Sequence, residues 1–412
     1  MNSAKTICLL SLSNIASDPR VRRQGDALFA AGWNVVGLGI RGGSTTDGPR
    51  WPVVTGPPDD TIPKDLLLEL RRRLGRYRIL QWVWRLYVSI RVRLRPAYAL
   101  REYWSRPDPR RFYAASQALK ANVWVANDWI MLPLAARLAT EMGGVYAYDS
   151  HEFALNEYME RLSWRLIDRP FVRAIEGAFI HEAARISTVS HGISEQLRTH
   201  YSLKRTPVVI RNTPPYQPAP FRPTGEMVGV LYHGLVTPGR GLEATIDSVP
   251  AWRSEFSLTI RGPGNPDYLH SLRERIARRR LEDRIELVPP VPMPDLVRAA
   301  CAFDVGVIAL PRHSLQNSYA LPNKLFEYMM AGLALCVSNL PEMAALVTRY
   351  DVGVLIARAE PDSIADAINR LDQAAIDEYK QHALAAAREL SWDRESERML
   401  RAYDGLVATD LG

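Results

Sequence analysis

Two ionisable residues three apart, Lys324 and Glu327, stand in a stretch whose pattern says where they point: Leu321 to Leu346, LPNKLFEYMMAGLALCVSNLPEMAAL. Pro322 falls where a first-turn proline is tolerated, Leu325, Phe326, Met329 and Met330 recur at helical spacing, and Gly332 supplies a helix stop. The spacing predicts a short helix with Lys324 and Glu327 on one face near its start. Such a start offers free N–H groups and partial positive charge, so together with Lys324 it suits a phosphate. A carboxylate one turn further on can accept two bonds from a ribose diol. The combination is a grip for a nucleoside diphosphate. Beyond it, Leu333 to Val337 is continuously apolar, as in a parallel strand covered on both faces, and Asn339 and Pro341 turn the chain into another helix.

The segment reads P-x-K-x-x-E-Y-M-x-x-G ahead of a buried strand. In this it resembles the donor-site signature of retaining glycosyltransferases of GT-B architecture, in particular the large GT4-like family of group 1 glycosyl transferases. The resemblance implies an α/β protein of two Rossmann-like domains, their parallel sheets facing an interdomain cleft. It also implies retaining transfer of a sugar from a nucleotide-diphosphate sugar, UDP- or GDP-linked, with no cofactor. No D-x-D pair of acidic metal ligands occurs at a matching strand end, so no metal site is expected.

Carried over residue by residue, the resemblance assigns further positions. His233-Gly234-Leu235 through Arg240-Gly241 matches a G-R-x-x-x-x-K-G element, with Leu235 in the first cation's place and Arg240 in the second's. Arg240, flanked by glycines before a helix start, suits a pyrophosphate because its planar fork can hold two oxygens at once. Gly234 and Gly262 occupy turns near the nucleotide, and Pro290-Val291-Pro292 matches the turn whose backbone reads the base, with Val291 at its centre. In Asp149-Ser150-His151-Glu152, His151 corresponds to a histidine that contacts the donor sugar. One departure matters: the pattern has two glutamates eight apart, and Tyr319 stands where the first would be, with Asn317 or Ser318 as substitutes. The catalytic set expected is therefore His151, Arg240 and Lys324, with Glu327 on the ribose. Arg20 and Arg23, in a first loop that lacks the glycines of relatives, are weaker candidates for the cleft.

These residues need elements to position them. Lys5–Leu12, Trp33–Ile40, Asn122–Ala126, Val145–Tyr148, Arg185–Val189 and Val208–Ile210 read as strands, with helices between, which is parallel βαβ organisation. The same alternation resumes from Met227. At 412 residues the chain exceeds what one core usually supports. The division expected is 1–205 for an acceptor-side domain, 206–388 for a donor domain, and 389–412 for a helix crossing back to the first. The prolines between 214 and 223 form a stiff connector at the boundary.

Composition excludes some classes. With 47% apolar and 24% charged residues the chain is an ordinary globular protein, neither disordered nor spanning a membrane. Its three cysteines have no paired or metal-type spacing and fit a cytoplasmic setting. The net charge of +7 is concentrated: from Leu66 to Arg106 eleven arginines face two glutamates, a local +9, interleaved with Tyr77, Trp82, Trp84, Tyr87, Tyr98, Tyr103 and Trp104. A stripe of Leu67, Leu70, Leu74, Tyr77, Trp84 and Val88 makes this segment, 66–111 in all, an amphipathic insertion suited to an anionic membrane surface. Nucleic acid would use the same residue types, but nothing else in the chain supports it as a partner. The expected acceptor is then a glycan or lipid-linked one on the inner face of the plasma membrane, as in envelope polysaccharide synthesis. Two alternatives stand beside transfer: an inactive nucleotide-sugar-binding subunit, and a GT-B enzyme of other chemistry such as an epimerase or phosphorylase.

Overall fold

The computed structural model describes residues 5–41, 48–56, 78–312 and 315–407. They form two compact units, Met1–Ile210 with Ser396–Gly412, and Arg211–Glu395. Each is built on one all-parallel sheet. The first contains β1 (Thr6–Leu10), β2 (Asn34–Gly39), β3 (Val53–Thr55), β4 (Val123–Asn127), β5 (Val145–Ser150), β6 (Arg185–Thr188) and β7 (Val208–Val209), in the order β3-β2-β1-β4-β5-β6-β7. The second contains β8 (Val228–His233), β9 (Phe256–Arg261), β10 (Ile285–Val288), β11 (Val305–Ile308), β12 (Ala334–Ser338) and β13 (Gly353–Ile356), in the order β10-β9-β8-β11-β12-β13. In both, the order reverses beside the first strand, between β1 and β4 and between β8 and β11. Open α/β sheets gather ligands at the carboxyl ends of strands near such a reversal.

The central strands are what their sequences require. All five residues of β4 and of β12 are buried, because helices cover both faces of the sheets. In β8 the side chains alternate: Val230 and Tyr232 join an apolar cluster with the helices Leu242–Ser248 and Pro361–Asn369, while Leu231 joins the opposite cluster with Leu325, Phe326 and Met329. The helix carrying Lys324 and Glu327 is thus pressed onto one face of the second sheet by its own apolar stripe. It runs Asn323–Met330, and Pro322 stands just before it in extended conformation rather than in its first turn. A proline fixes φ near the helical value and lacks a donor, so it serves equally well one position earlier.

The division falls at 210/211 and 395/396, not at 205/206 and 388/389. The physical reason is that the proline-bearing connector belongs to the second unit. The Trp392 N–H donates to Pro214 O at 2.8 Å and the Tyr216 N–H to Asp393 Oδ2 at 2.7 Å. Arg222 Nη2 meets Asp304 Oδ1 at 2.6 Å, and Thr224 bonds Asp377 through both its N–H and its hydroxyl. The helix Trp392–Val407 begins in the second unit and from Ser396 onward belongs to the first, where Asp404 pairs with Lys5 at 2.8 Å. The three-residue β3 and the helix Pro266–Arg278, capped by Asn265 and Pro266, are elements the spacing does not announce.

The basic segment departs from the single amphipathic pattern. Residues 66–77, with Leu67, Leu70, Leu74 and Tyr77, lie outside the described residues. The remainder forms three helices, Arg78–Leu94, Tyr98–Trp104 and Pro107–Ser116. Tyr103 is buried and donates to Ile130 O at 2.8 Å, and Tyr98 and Trp104 pack against the same core group. One of the expected belt aromatics is therefore interior and two more are partly buried. Val88 is likewise buried, with Val92, against Phe171 and Ile175, whereas Trp84 is exposed. The apolar stripe thus divides between the core and the surface.

Lys380 and Asp304 form a buried pair at 3.0 Å, and Asp304 also accepts from Gly229 N–H and Arg222. Truncating one partner strands the other charge in an apolar interior. Asp304→Ala is expected to destabilise the second unit by about 3–5 kcal/mol, read as a fall in urea midpoint at unchanged slope.

Candidate functional site

In the second unit, the carboxyl ends of β8 and β9 meet the start of the helix Asn323–Met330. The Gly262 backbone follows β9 so closely along the end of β8 that a Cβ there would lie 1.8 Å from Gly234 O, and its φ of +152° is one that other residues rarely adopt. Gly234 lies directly beneath Lys324, whose Nζ would be 3.3 Å from a Cβ at that position. Lys324 Nζ stands 3.6 Å from the centroid of the Tyr232 ring, a cation–π contact, with no carboxylate hydrogen-bonded to it among the described residues. Burial, reinforced by the Arg240 charge and only partly offset by Glu327, lowers the Lys324 pKa to about 7. Arg240 itself is exposed and has no ion-pair partner among the described residues. Two cations that repel each other are thus brought together beside a free helix start.

Glu327 is buried one turn along, and its Oε2 is bound by His233 Nε2 at 2.8 Å. His233 is fully buried. Its backbone N–H donates to Tyr328 Oη at 2.8 Å, its ring stacks at a tilt on Tyr328, and its Nδ1 has no partner among the described residues. Because an ionised carboxylate can only accept, Nε2 carries the proton. His233 therefore holds Glu327 through Oε2, and Oε1 has no hydrogen-bond partner among the described residues. Sequence reading passed over His233. Its only signal was a histidine at the end of an apolar strand, directly before the glycine of the matched turn.

Other expected positions fall differently. Val291 is half-buried in the loop after β10, three residues past Val288, whose carbonyl accepts Gly262 N–H at 3.4 Å. Leu235, in the place of a cation, is exposed. Tyr319 lies in a short helix, Leu315–Tyr319. Of its suggested substitutes, Asn317 donates its amide to Pro311 O at 2.9 Å and Ser318 is buried.

The first unit holds a separate cluster at the paired carboxyl ends of β4 and β5, where Asn127 and Asp149 are register partners. His151 Nδ1 faces Asp128 Oδ2 at 3.3 Å and its Nε2 faces Asp149 Oδ2 at 3.2 Å. Burial alone would pull the imidazole down, but the two carboxylates outweigh it and hold its pKa up to about 10. Asp149 is the hub. Arg20 grips it through Nε and Nη2, both at 2.7 Å, and Gln24 and Ser187 each donate at 2.6 Å. Burial opposes the Asp149 charge, yet Arg20 and His151 keep its pKa well below the usual range. Arg20 is thus a buried structural partner instead of a cleft residue, and Arg23 is half-buried beside it. The solvent-facing member is Asp128, 46% exposed against 20% for His151, with a φ of +67° that a non-glycine residue rarely holds. Such strain persists where the surroundings enforce it, often at functional sites.

Two parallel-sheet Rossmann-like domains of these strand orders define the GT-B architecture. Residues 228–373 match the family model described as glycosyl transferases group 1, so the second unit carries that domain. A D-inositol 3-phosphate glycosyltransferase from Jonesia denitrificans is 23% identical over 192 residues, 44% of this chain and 43% of that protein; the chain spans less than half the length of this curated relative. Sucrose-phosphate synthase from Thermosynechococcus elongatus superposes with a TM-score of 0.72 at 16% identity, covering 98% of this chain and 100% of that one. Anabaena Alr3699/HepE, solved with UDP and glucose, gives 0.66 at 14% identity, again with 98% and 100% covered.

Two outcomes follow from these charges. An anion that binds Lys324 restores its ordinary pKa, so binding near pH 7 takes up a proton. Affinity for inorganic pyrophosphate is expected to fall as pH rises above 7, by up to about tenfold per unit. Calorimetry in buffers of different ionisation enthalpy should show proton uptake that Lys324→Arg abolishes. For His151 the folded pKa exceeds the unfolded one, so its stabilisation is full below pH 6.5 and is lost as pH rises through about 10. His151→Gln should therefore lower the melting temperature near pH 6 and change it little above pH 10.

Proposed function

We propose that this protein transfers a sugar, with retention, from a nucleotide-diphosphate sugar to an acceptor. The observation that carries the reading is the juxtaposition of Lys324 and Arg240, unneutralised, with the His233-held carboxylate of Glu327 one helical turn away. Departure of a diphosphate puts negative charge where these two cations and the first N–H groups of the helix Asn323–Met330 stand. Preorganised donors of this kind stabilise such a leaving group without a metal. The open Oε1 of Glu327 suits a ribose hydroxyl. The close backbone approach at Gly234 and Gly262 leaves room for phosphate oxygens. The group 1 domain match over residues 228–373 supports the same assignment, and the UDP in the Anabaena structure favours a UDP-linked donor.

His151 is assigned to orienting a sugar hydroxyl, on the strength of its place at the ends of β4 and β5. Charged at neutral pH, with both ring N–H groups turned to Asp128 and Asp149, it would act through the exposed Asp128 carboxylate it holds and not as a general base. Retention by front-face attack, assisted by the leaving phosphate, is what the resemblance implies. The acceptor is proposed to be lipid-linked or membrane-borne, as in envelope glycan assembly, reached by peripheral attachment through residues of the basic segment; no described helix is long and apolar enough to cross a membrane.

The test uses the full chain with labelled nucleotide sugars and lipid-linked acceptors. Turnover of a UDP-sugar to a product of retained configuration is expected. Glu327→Ala should weaken donor binding by about tenfold to a hundredfold, the loss of one or two charge-assisted bonds. Unchanged donor affinity removes that role. Donor binding with neither transfer nor slow hydrolysis would favour a nucleotide-sugar-binding subunit instead.

A further inference from the structure

The helix Arg78–Leu94 has a second apolar face. Val88 and Val92 are buried against Phe171 and Ile175, while Val83, Tyr87, Ile90 and Leu94, spaced four, three and four apart, lie on the roughly opposite side of the helix. All four are exposed, Leu94 to 75%. Trp82 and Trp84 are exposed on the two flanks of that stripe, and Arg91 and Arg93 border it on either side. The segment Tyr158–Asp168 lies alongside. Leu166 O accepts from Ser89 Oγ at 2.7 Å and from Arg93 Nη2 at 2.8 Å, and Arg85 pairs with Asp168 at 2.5 Å. These bonds bring Leu166 beside the helix, and Leu162 and Tyr158, four and eight residues earlier, are exposed as well. Nine of the fifteen exposed large apolar side chains among the described residues fall in these two stretches, so the patch is a concentration and not a scatter.

We infer that the helix Arg78–Leu94 and the segment Tyr158–Asp168 form one composite surface that docks on an anionic phospholipid bilayer. This rests on the membrane attachment proposed above and extends it to a stretch far outside the basic segment. The charge around the patch selects the occupant: Arg91, Arg93, Arg95, Arg161 and Arg165 rim it, and Arg95 and Arg165 are exposed with no side-chain partner among the described residues. An apolar centre, tryptophans at the edge and arginines at the rim match the depth profile of a headgroup layer. Leu162 and Leu166 would enter the acyl boundary together with Tyr87 and Ile90.

The test measures partition of the full chain onto phosphatidylcholine vesicles with and without phosphatidylglycerol, by co-sedimentation. Two double variants are compared, Tyr87→Ser with Ile90→Ser, and Leu162→Ser with Leu166→Ser. UDP affinity and thermal melting are followed alongside, and both should stay unchanged because the four side chains are exposed. Binding that requires phosphatidylglycerol and falls about tenfold or more in each variant is expected. Loss in the helix variant alone overturns the composite surface and leaves the basic segment as the anchor. Equal binding to neutral vesicles, or none to either, overturns both membrane readings and leaves donor binding standing. A dimer in light scattering that both variants dissolve would assign the patch to a second copy of the chain and overturn the proposal.

Discussion

The second domain places an ammonium, Lys324, against the Tyr232 ring and near Arg240 with no carboxylate bonded to it. The electrostatics of this group depend on that uncompensated positive charge. Three other interior cations are closely paired: Arg20 with Asp149 at 2.7 Å, Lys380 with Asp304 at 3.0 Å, Arg211 with Glu395 at 2.9 Å. Desolvating a charge without a partner is costly, and the half-buried Lys324, with no carboxylate bonded to it among the described residues, is depressed to about 7. Glu327, the nearby carboxylate, is kept from closing the gap because His233 takes one of its oxygens.

The two domains use the same geometry for different charges. At the ends of β4 and β5, carboxylates outweigh burial and keep an imidazole charged; at the ends of β8 and β9, burial and a neighbouring arginine work against an ammonium. Polar groups collect at those ends because parallel sheets are apolar on both faces, leaving the strand termini and the following loops to carry chemistry. Asp128 illustrates the consequence. Its strained φ is held by its N–H donating to Asp149 O at 3.0 Å and by its carboxylate on His151. The loop is thus anchored to the buried Arg20–Asp149 pair.

Much of this was legible in the chain. Continuous apolar runs announced β4, β8 and β12, and the Leu325-Phe326-Met329 stripe fixed which face of its helix is buried, hence where Lys324 and Glu327 go. Partners were not legible. Nothing in the first loop says that Arg20 turns inward to Asp149, 129 residues away, because a side chain's choice between solvent and a buried ion pair is settled by tertiary packing. His233 escaped for the same reason, since a histidine ending an apolar strand reads as core. In the basic segment, period alone could not assign the stripes. A helix with apolar residues on two opposite faces gives no sign of which one meets the protein, and the structure assigns Val88 and Val92 inward and Val83, Tyr87, Ile90 and Leu94 outward.

The replacement at Leu235 follows from the same electrostatics. The resembled pattern has a cation there, directly after the glycine that lies beneath Lys324. A third positive charge so close would lower the Lys324 pKa further, since like charges disfavour the protonated form. With leucine exposed at that position, Lys324 keeps its proton to about pH 7.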